Sequence, residues 1–260
     1  MSLRIFLTAV YIMWYRQIKR FTRARSRVVG AVVQPILWMI FFGLGWAPAL
    51  RAPSARVIFG GVDYLSFLAP GVAMMGVFMV SFMSGISVIW DREFGFLKEV
   101  LVAPVPREAT IIGRALGDST VAVAQGLTIL AVAHLISSGL NSLGMPIAAL
   151  SMLLVALAFS GVGIAIGSRM SSMEGFQLIN TFISMPTLFL SGAFFPILTM
   201  PSWMKILAFI NPLTYGVDAG RGALTGNGYF SPWFDLSLLL ILATIFMGLA
   251  AWTFRRTTIE

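Results

Sequence analysis

Leu65-Ser-Phe-Leu-Ala-Pro-Gly-Val-Ala-Met-Met-Gly-Val-Phe-Met-Val-Ser-Phe-Met-Ser-Gly-Ile-Ser-Val-Ile-Trp90 contains no lysine, arginine, aspartate, glutamate or histidine. About 20 mostly apolar residues suffice for a helix to cross the hydrocarbon core of a bilayer, so this stretch predicts a membrane-spanning helix. Its apolar residues are continuous, whereas a strand of a membrane barrel alternates. A helix also satisfies its own backbone hydrogen bonds in lipid. Working outward, five more runs carry no lysine, arginine, aspartate or glutamate: 28–46 before it, and 119–138, 146–167, 176–196 and 236–254 after it. The expected fold is all-α, a polytopic membrane protein with six transmembrane helices.

Composition agrees. Hydrophobic residues make up 58% of the 260-residue chain and charged residues 11%, with mean hydropathy +0.90. A soluble domain is nearer about 45–50% apolar and about 25% charged. The excess must face something other than water, and no stretch is polar enough for a separate soluble domain. A net charge of +8 would suggest nucleic acid in a soluble chain. Here the basic residues flank apolar runs, and topology explains them better. Fourteen of the 18 lysines and arginines lie before the first run, between the second and third, between the fourth and fifth, and after the sixth. The other four are Arg51, Arg56, Lys205 and Arg221. That asymmetry puts both termini inside. Cysteine is absent, which excludes disulfides, thiolate catalysis and cysteine metal sites. The first apolar run begins near Val28 and is too long for a cleavable signal peptide.

Three segments do not read as spans. In residues 1–24, Leu3, Phe6, Leu7, Val10, Tyr11, Trp14, Ile18 and Phe21 recur at three- and four-residue steps, with Arg4, Thr8, Arg16, Lys19, Arg20 and Arg23 on the remaining arc. This predicts an amphipathic helix lying in the inner headgroup layer, either as an anchor alone or also touching a cytoplasmic partner. The loop Asp91-Arg-Glu-Phe-Gly-Phe-Leu-Lys-Glu-Val-Leu-Val-Ala-Pro-Val-Pro-Arg107 opens with dense charge, and Phe94, Leu97, Val100 and Leu101 could share a helical face. Pro104 should stop that helix at Ala103. So apolar a loop needs cover, from the inner leaflet or from a protein groove, and docking into another protein is the favoured reading. The third segment holds Pro186, Pro196, Pro201 and Pro212, with a short apolar piece over 203–210 that is too short to cross. It predicts a re-entrant or interfacial hairpin on the outer side, either a structural elbow or part of a substrate exit.

Chemistry-bearing groups are sparse. No Gly-x-x-x-x-Gly-Lys-Ser/Thr phosphate loop occurs, so an ATP-driven activity would need its ATPase on another polypeptide. His134, the single histidine, lies near the outer end of the third run and reads as a neutral imidazole. Asp118 follows Arg114 by four residues and reads as a helical ion pair at the inner edge. Gly163 and Gly167, with Gly161, read as close-packing sites within one subunit. The 15 methionines and 21 phenylalanines suit either a greasy translocation path or lipid contact.

The loop 91–107, together with Leu190-Ser-Gly-Ala-Phe-Phe-Pro196, Pro201-Ser-Trp203, Asn211-Pro-Leu-Thr-Tyr215 and the stretch from Asp218 to Arg221, resembles the membrane subunit of ABC type 2 exporters. These are the daunorubicin-exporter-like and nodulation-exporter-like permeases, and the resemblance covers nearly the whole chain. It implies a half-transporter that pairs with a second membrane subunit, usually identical, and with two copies of a separate ABC ATPase subunit. ATP and Mg²⁺ would bind that ATPase, with no cofactor on this chain. Residues 1–27 would be a cytoplasmic interface helix, 28–254 the six-span domain and 255–260 a cytoplasmic tail. The coupling helix would lie at about 92–103, with Arg92, Glu93, Phe94, Leu97, Lys98, Glu99 and Leu101 touching the ATPase. The loop from Arg169 to Gly175 would be a second inner contact. The outer re-entrant region, about 190–215, would use Gly192, Phe195, Pro196, Trp203, Asn211 and Pro212. The implied function is outward, ATP-driven alternating access for a hydrophobic or amphipathic substrate of the drug, lipid or glycan class. The implied setting is the inner or plasma membrane of a prokaryote, with lipid and no nucleic acid as partner. The alternative is a stand-alone secondary transporter or channel, disfavoured because the spans lack paired midplane charges.

Overall fold

The Asp63 carboxylate accepts the backbone N–H of Ser66 at 3.1 Å, an N-cap that starts the helix opening the 65–90 run. The structure is a computed structural model and describes residues 3–45, 57–95, 105–137 and 139–256. Among these there are helices and no strands. In chain order they are α1 (Leu3–Arg23), α2 (Arg25–Trp38, continued by a π-helical turn Met39–Leu44), α3 (Tyr64–Phe82), α4 (Ser84–Glu93), α5 (Arg107–Ile136), α6 (Met145–Gly167), α7 (Met173–Phe189), α8 (Ser202–Ile210), α9 (Pro212–Thr225) and α10 (Pro232–Arg255).

Four helical stretches are long and apolar enough to cross a membrane: Tyr64–Glu93, Arg107–Ile136, Ser142–Gly167 and Pro232–Arg255. The 28–46 run becomes α2 and its π-helical turn, and the 176–196 run becomes α7, only 17 residues long. α3 is the core helix, with Leu68, Met74, Phe78 and Phe82 fully enclosed. α2, α5, α6 and α9 pack around it. The 65–90 run is not one rod. It breaks at Met83, and the carbonyls of Phe82 and Gly85 press on Gly163 and Gly167 of α6 with no room for a Cβ. Gly161 is likewise filled by the α10 backbone at Phe246, so this glycine cluster packs helices within the chain, as expected.

α1 forms as expected, but its apolar arc divides. Leu3, Leu7 and Tyr11 stay exposed, while the Val10–Gln17 side lies flat on α5. Gly113 and Gly117 make that possible: a Cβ there would stand 2.8 Å from Met13 Cβ and 2.6 Å from Gln17 Cβ. Two further findings depart from the sequence reading. The residues after Asn211 form a regular 14-residue helix, α9, rather than a broken segment. Arg114 and Asp118, expected to pair with each other, both turn to other partners.

Candidate functional site: a polar junction and the cavity above it

Three helices, α1, α4 and α5, meet where α1 crosses the bundle. Asp91, near the end of α4, receives Arg16 from α1 at 3.1 Å and forms an ion pair with Arg114 of α5. Arg114 also donates to Ser87 at 3.1 Å. The next α1 residue, Gln17, donates to Asp118 at 3.0 Å, and Ser84 donates to the other Asp118 oxygen at 2.6 Å. Desolvation by partial burial lowers the Arg16 pKa from its ordinary value, a cost that the Asp91 carboxylate offsets. Neighbouring residues of α1 are thus fixed to two carboxylates, the buried Asp91 of α4 and the half-buried Asp118 of α5. The i, i+4 pairing of Arg114 with Asp118 gives way because Asp91 and Ser84, distant in sequence, offer closer partners.

The loop expected to couple starts here. Arg92 donates to the carbonyls of Ser168 at 2.9 Å and Met170 at 3.0 Å, just past the end of α6. It thereby joins the 92–103 stretch to the 169–175 loop. α4 stops at Glu93, and Gly95 takes φ +76°, the left-handed turn that closes a helix. Arg92 and Glu93 therefore end the spanning helix with Phe94 as its C-cap, and residues 96–103 of the expected coupling helix lie outside the described residues. The Phe94 side chain is 80% exposed. Leu97, Lys98, Glu99 and Leu101 lie outside the described residues. The C-terminus gathers at the same end: Arg107 donates to the Arg255 carbonyl at 2.9 Å, and Arg255 pairs with Glu108 at 2.9 Å.

A cavity of about 700 Å³ rises from this junction between α2, α3, α5 and α7. Gln17, Arg20, Ser84, Trp90 and Asp118 line one end, and Trp38, Phe189 and Phe194 the other. Met75, Met79, Val80, Met83 and Leu188 give it soft apolar walls. Gln177, Asn180, Thr181 and Ser184 line it from one face of α7. That polar stripe at three- and four-residue steps is present in the 176–196 run, where overall hydrophobicity masks it. Leu178 and Phe182 face outward.

At the far end, Gly192, Asn211 and Pro212 serve as joints. Gly192 takes φ +75°. Asn211 caps α9 by accepting Leu213 N–H at 3.0 Å, while its amide donates to the Thr187 carbonyl at 2.7 Å near the end of α7. Pro212 occupies the first turn of α9. Phe195 and Trp203 are exposed, and Pro196 is half-buried. Arg221 is buried, so it is no loop charge at all: its guanidinium donates to the carbonyls of Phe67 and Gly192 at 3.2 and 2.9 Å. His134 is exposed on α5. No group of three or more His, Cys, Asp or Glu side chains that could hold a metal occurs among the described residues.

Comparison with known proteins matches this architecture to one family. The family described as ABC-2 type transporter matches residues 8–225. The protein ycf38 of Pyropia yezoensis, whose name is that of a transport permease, is 29% identical over 201 residues, covering 76% of this chain and 68% of its own. The inner membrane transport permease YadH of Escherichia coli K12 is 26% identical over 227 residues, 86% of each chain. The daunorubicin resistance ABC transporter permease protein DrrB1 of Streptomyces coeruleorubidus is 24% identical over 237 residues, 88% of this chain and 78% of its own. These relatives are permeases rather than enzymes, and with its helices of spanning length this chain belongs to the ABC-2 type transporter family as the membrane subunit of an ABC transporter.

Proposed function

We propose that this chain is one membrane half of an ATP-driven exporter, working as a homodimer with two copies of a separate ATPase subunit. It crosses the membrane six times with both termini in the cytoplasm: residues 1–27 form the interface segment, 28–254 the spanning domain and 255–260 a tail. The observation that carries the reading is the Asp91 junction. It ties α1, the start of the 92–103 loop and the 169–175 loop into one polar block, from which Phe94 projects without cover. An aromatic side chain in that position suits a groove on a soluble partner. The ATPase holds ATP and Mg²⁺, and its movement reaches α4 and α5 through Asp91 and Asp118. The charge asymmetry, fourteen to three once the buried Arg221 is set aside, supports the orientation.

The cavity above the junction takes a hydrophobic or amphipathic substrate of the drug, lipid or glycan class. Its methionine and aromatic walls suit an apolar body, and the Gln177–Ser184 stripe suits scattered polar groups. The daunorubicin-resistance name of one relative is consistent with such a cargo. The setting is the inner or plasma membrane of a prokaryote. Reconstitution in liposomes with the ATPase subunit tests the reading. A panel of amphipathic compounds should include some that stimulate ATP hydrolysis and move toward the face opposite the ATPase. Transport by this chain alone, without an ATPase, would contradict it.

A further inference from the structure

Three charged residues are buried together where α9 meets the start of α10: Asp218 and Arg221 on α9 and Asp235 on α10. Arg221 is committed to backbone carbonyls and lies 3.7 Å from the centre of the Phe67 ring. Asp218 accepts the Tyr229 N–H on both oxygens, at 2.8 and 2.9 Å, and the Phe230 N–H at 2.7 Å. It thereby holds the turn that leads into α10. Asp235 is 0% exposed, and no donor among the described residues reaches either of its oxygens. Its carboxyl nevertheless lies within hydrogen-bonding reach of the Asp218 carboxyl.

Two carboxylates only accept, so they cannot hydrogen-bond to each other. One proton between them supplies the missing donor and removes one of two like charges from a buried site. The charges also balance this way. The guanidinium of Arg221 offsets one carboxylate, and a second ionised carboxylate buried without a partner is too costly to persist. The amide bonds identify the ionised member: Asp218, with two N–H donors in three contacts, is the carboxylate, and Asp235, with none, is the acid.

We propose that Asp218 and Asp235 form a proton-binding site in which the Asp235 carboxyl keeps its proton and donates it to Asp218, latching α9 to α10. The titratable or charged groups around it are Asp218 and Tyr215 on α9, with Arg221 of α9 and Tyr64 of α3 behind Asp218; the packed face of α6 carries none. When the latch opens, the proton passes to water at that end of the bundle. Two carboxylates then stand side by side and drive α9 away from α10. The outer location of the site rests on the topology proposed above, whereas the shared proton does not.

Infrared spectroscopy of the purified full chain in lipid at neutral pH reads the proton directly. An ordinary aspartate, with pKa about 3.9, is fully ionised there. The wild-type minus Asp235→Asn difference should contain a carboxylic-acid carbonyl band. That band should disappear as the wild type is taken to alkaline pH. Asp118 is present in both proteins and cancels. Asn keeps a donor toward Asp218, so the variant should retain its thermal stability. Should Asp235→Asn not accumulate, Asp218→Asn leaves Asp235 buried with no donor to either oxygen, so its acid band should persist but shift with the loss of its acceptor, while the Asp218 carboxylate band is lost. For Asp235→Asn, a difference spectrum with a carboxylate band and no acid band overturns the proposal; for Asp218→Asn, an unmoved acid region does. The measurement involves no transport, ATPase or orientation, so its failure is distinct from failure of the exporter reading.

Discussion

Asp91 of α4 sits between two arginines from two other helices: Arg114 of α5, buried beneath it, and Arg16 of α1, 3.1 Å away and 31% exposed. The two pairs are unequal. Removing Asp91 takes the ion-pair partner from the buried Arg114, with only the more distant Asp118 left to offset its charge, a loss of up to about 3–5 kcal/mol. Removing Arg16 breaks a half-exposed pair worth about 1 kcal/mol or less. Asp91→Ala should therefore lower the unfolding temperature in detergent far more than Arg16→Ala. Equal effects would contradict the geometry.

A methyl group at Gly113 has no space under α1. Gly113→Ala should lift α1 from α5 at a cost of about 1–3 kcal/mol, typical of overpacking. Limited trypsin digestion at Lys19 and Arg20 reports the lift: cleavage should quicken in Gly113→Ala and stay slow in Gly248→Ala, where an added Cβ meets nothing within 4 Å. Matching digestion rates would show that α1 is not seated as described.

The uninterrupted apolar runs are readable because spanning helices must be apolar along their whole length, and 65–90 reads as a span before any contact is known; that it is the core helix comes from the packing. What stayed hidden has specific causes. Nothing in Val80-Ser-Phe-Met-Ser-Gly85 marks the break at Met83, which α6 imposes through Gly163 and Gly167. α9 is hidden because Pro212 reads as a breaker, although Asn211-Pro212 is a good helix start and Gly226 a good stop. Arg221 was counted as a loop charge because its partners, carbonyls 28 and more positions away, leave no local trace. Arg114 and Asp118 have the right spacing to pair, but Asp91 lies closer in space than in sequence.

Filling the cavity tests whether it is the substrate path. Thr181→Trp adds bulk to the polar face of α7 inside the space of about 700 Å³. Substrate-stimulated ATP hydrolysis should fall at least tenfold, about 1.4 kcal/mol, while co-purification of the ATPase holds. Phe182→Trp, on the outward face of the same helix, should leave both unchanged. Full stimulation in Thr181→Trp would remove the cavity from the pathway.

Phe94 separates coupling from folding. Because it is exposed, Phe94→Ala should leave the unfolding temperature of the isolated chain unchanged. If the side chain fills an ATPase groove as a hot spot of about 2–4 kcal/mol, ATPase affinity should fall about thirty- to a thousand-fold. Pull-down of the ATPase at graded concentration measures it. An unchanged midpoint would assign Phe94 to lipid instead.

The central claim is that the Asp91 end of the bundle faces the cytoplasm and seats an ATPase subunit. The chain has no cysteine, so single cysteines can be placed without background. The most direct measurement uses Phe94→Cys and Trp203→Cys in the assembled complex, with membrane-impermeant maleimide applied to each face and a short bifunctional cross-linker added to the first variant. Position 94 should react only from the cytoplasmic face and form an adduct with the ATPase subunit, while position 203 should react only from outside. Labelling of position 94 from outside, or no ATPase adduct in a complex that still transports, would contradict the account.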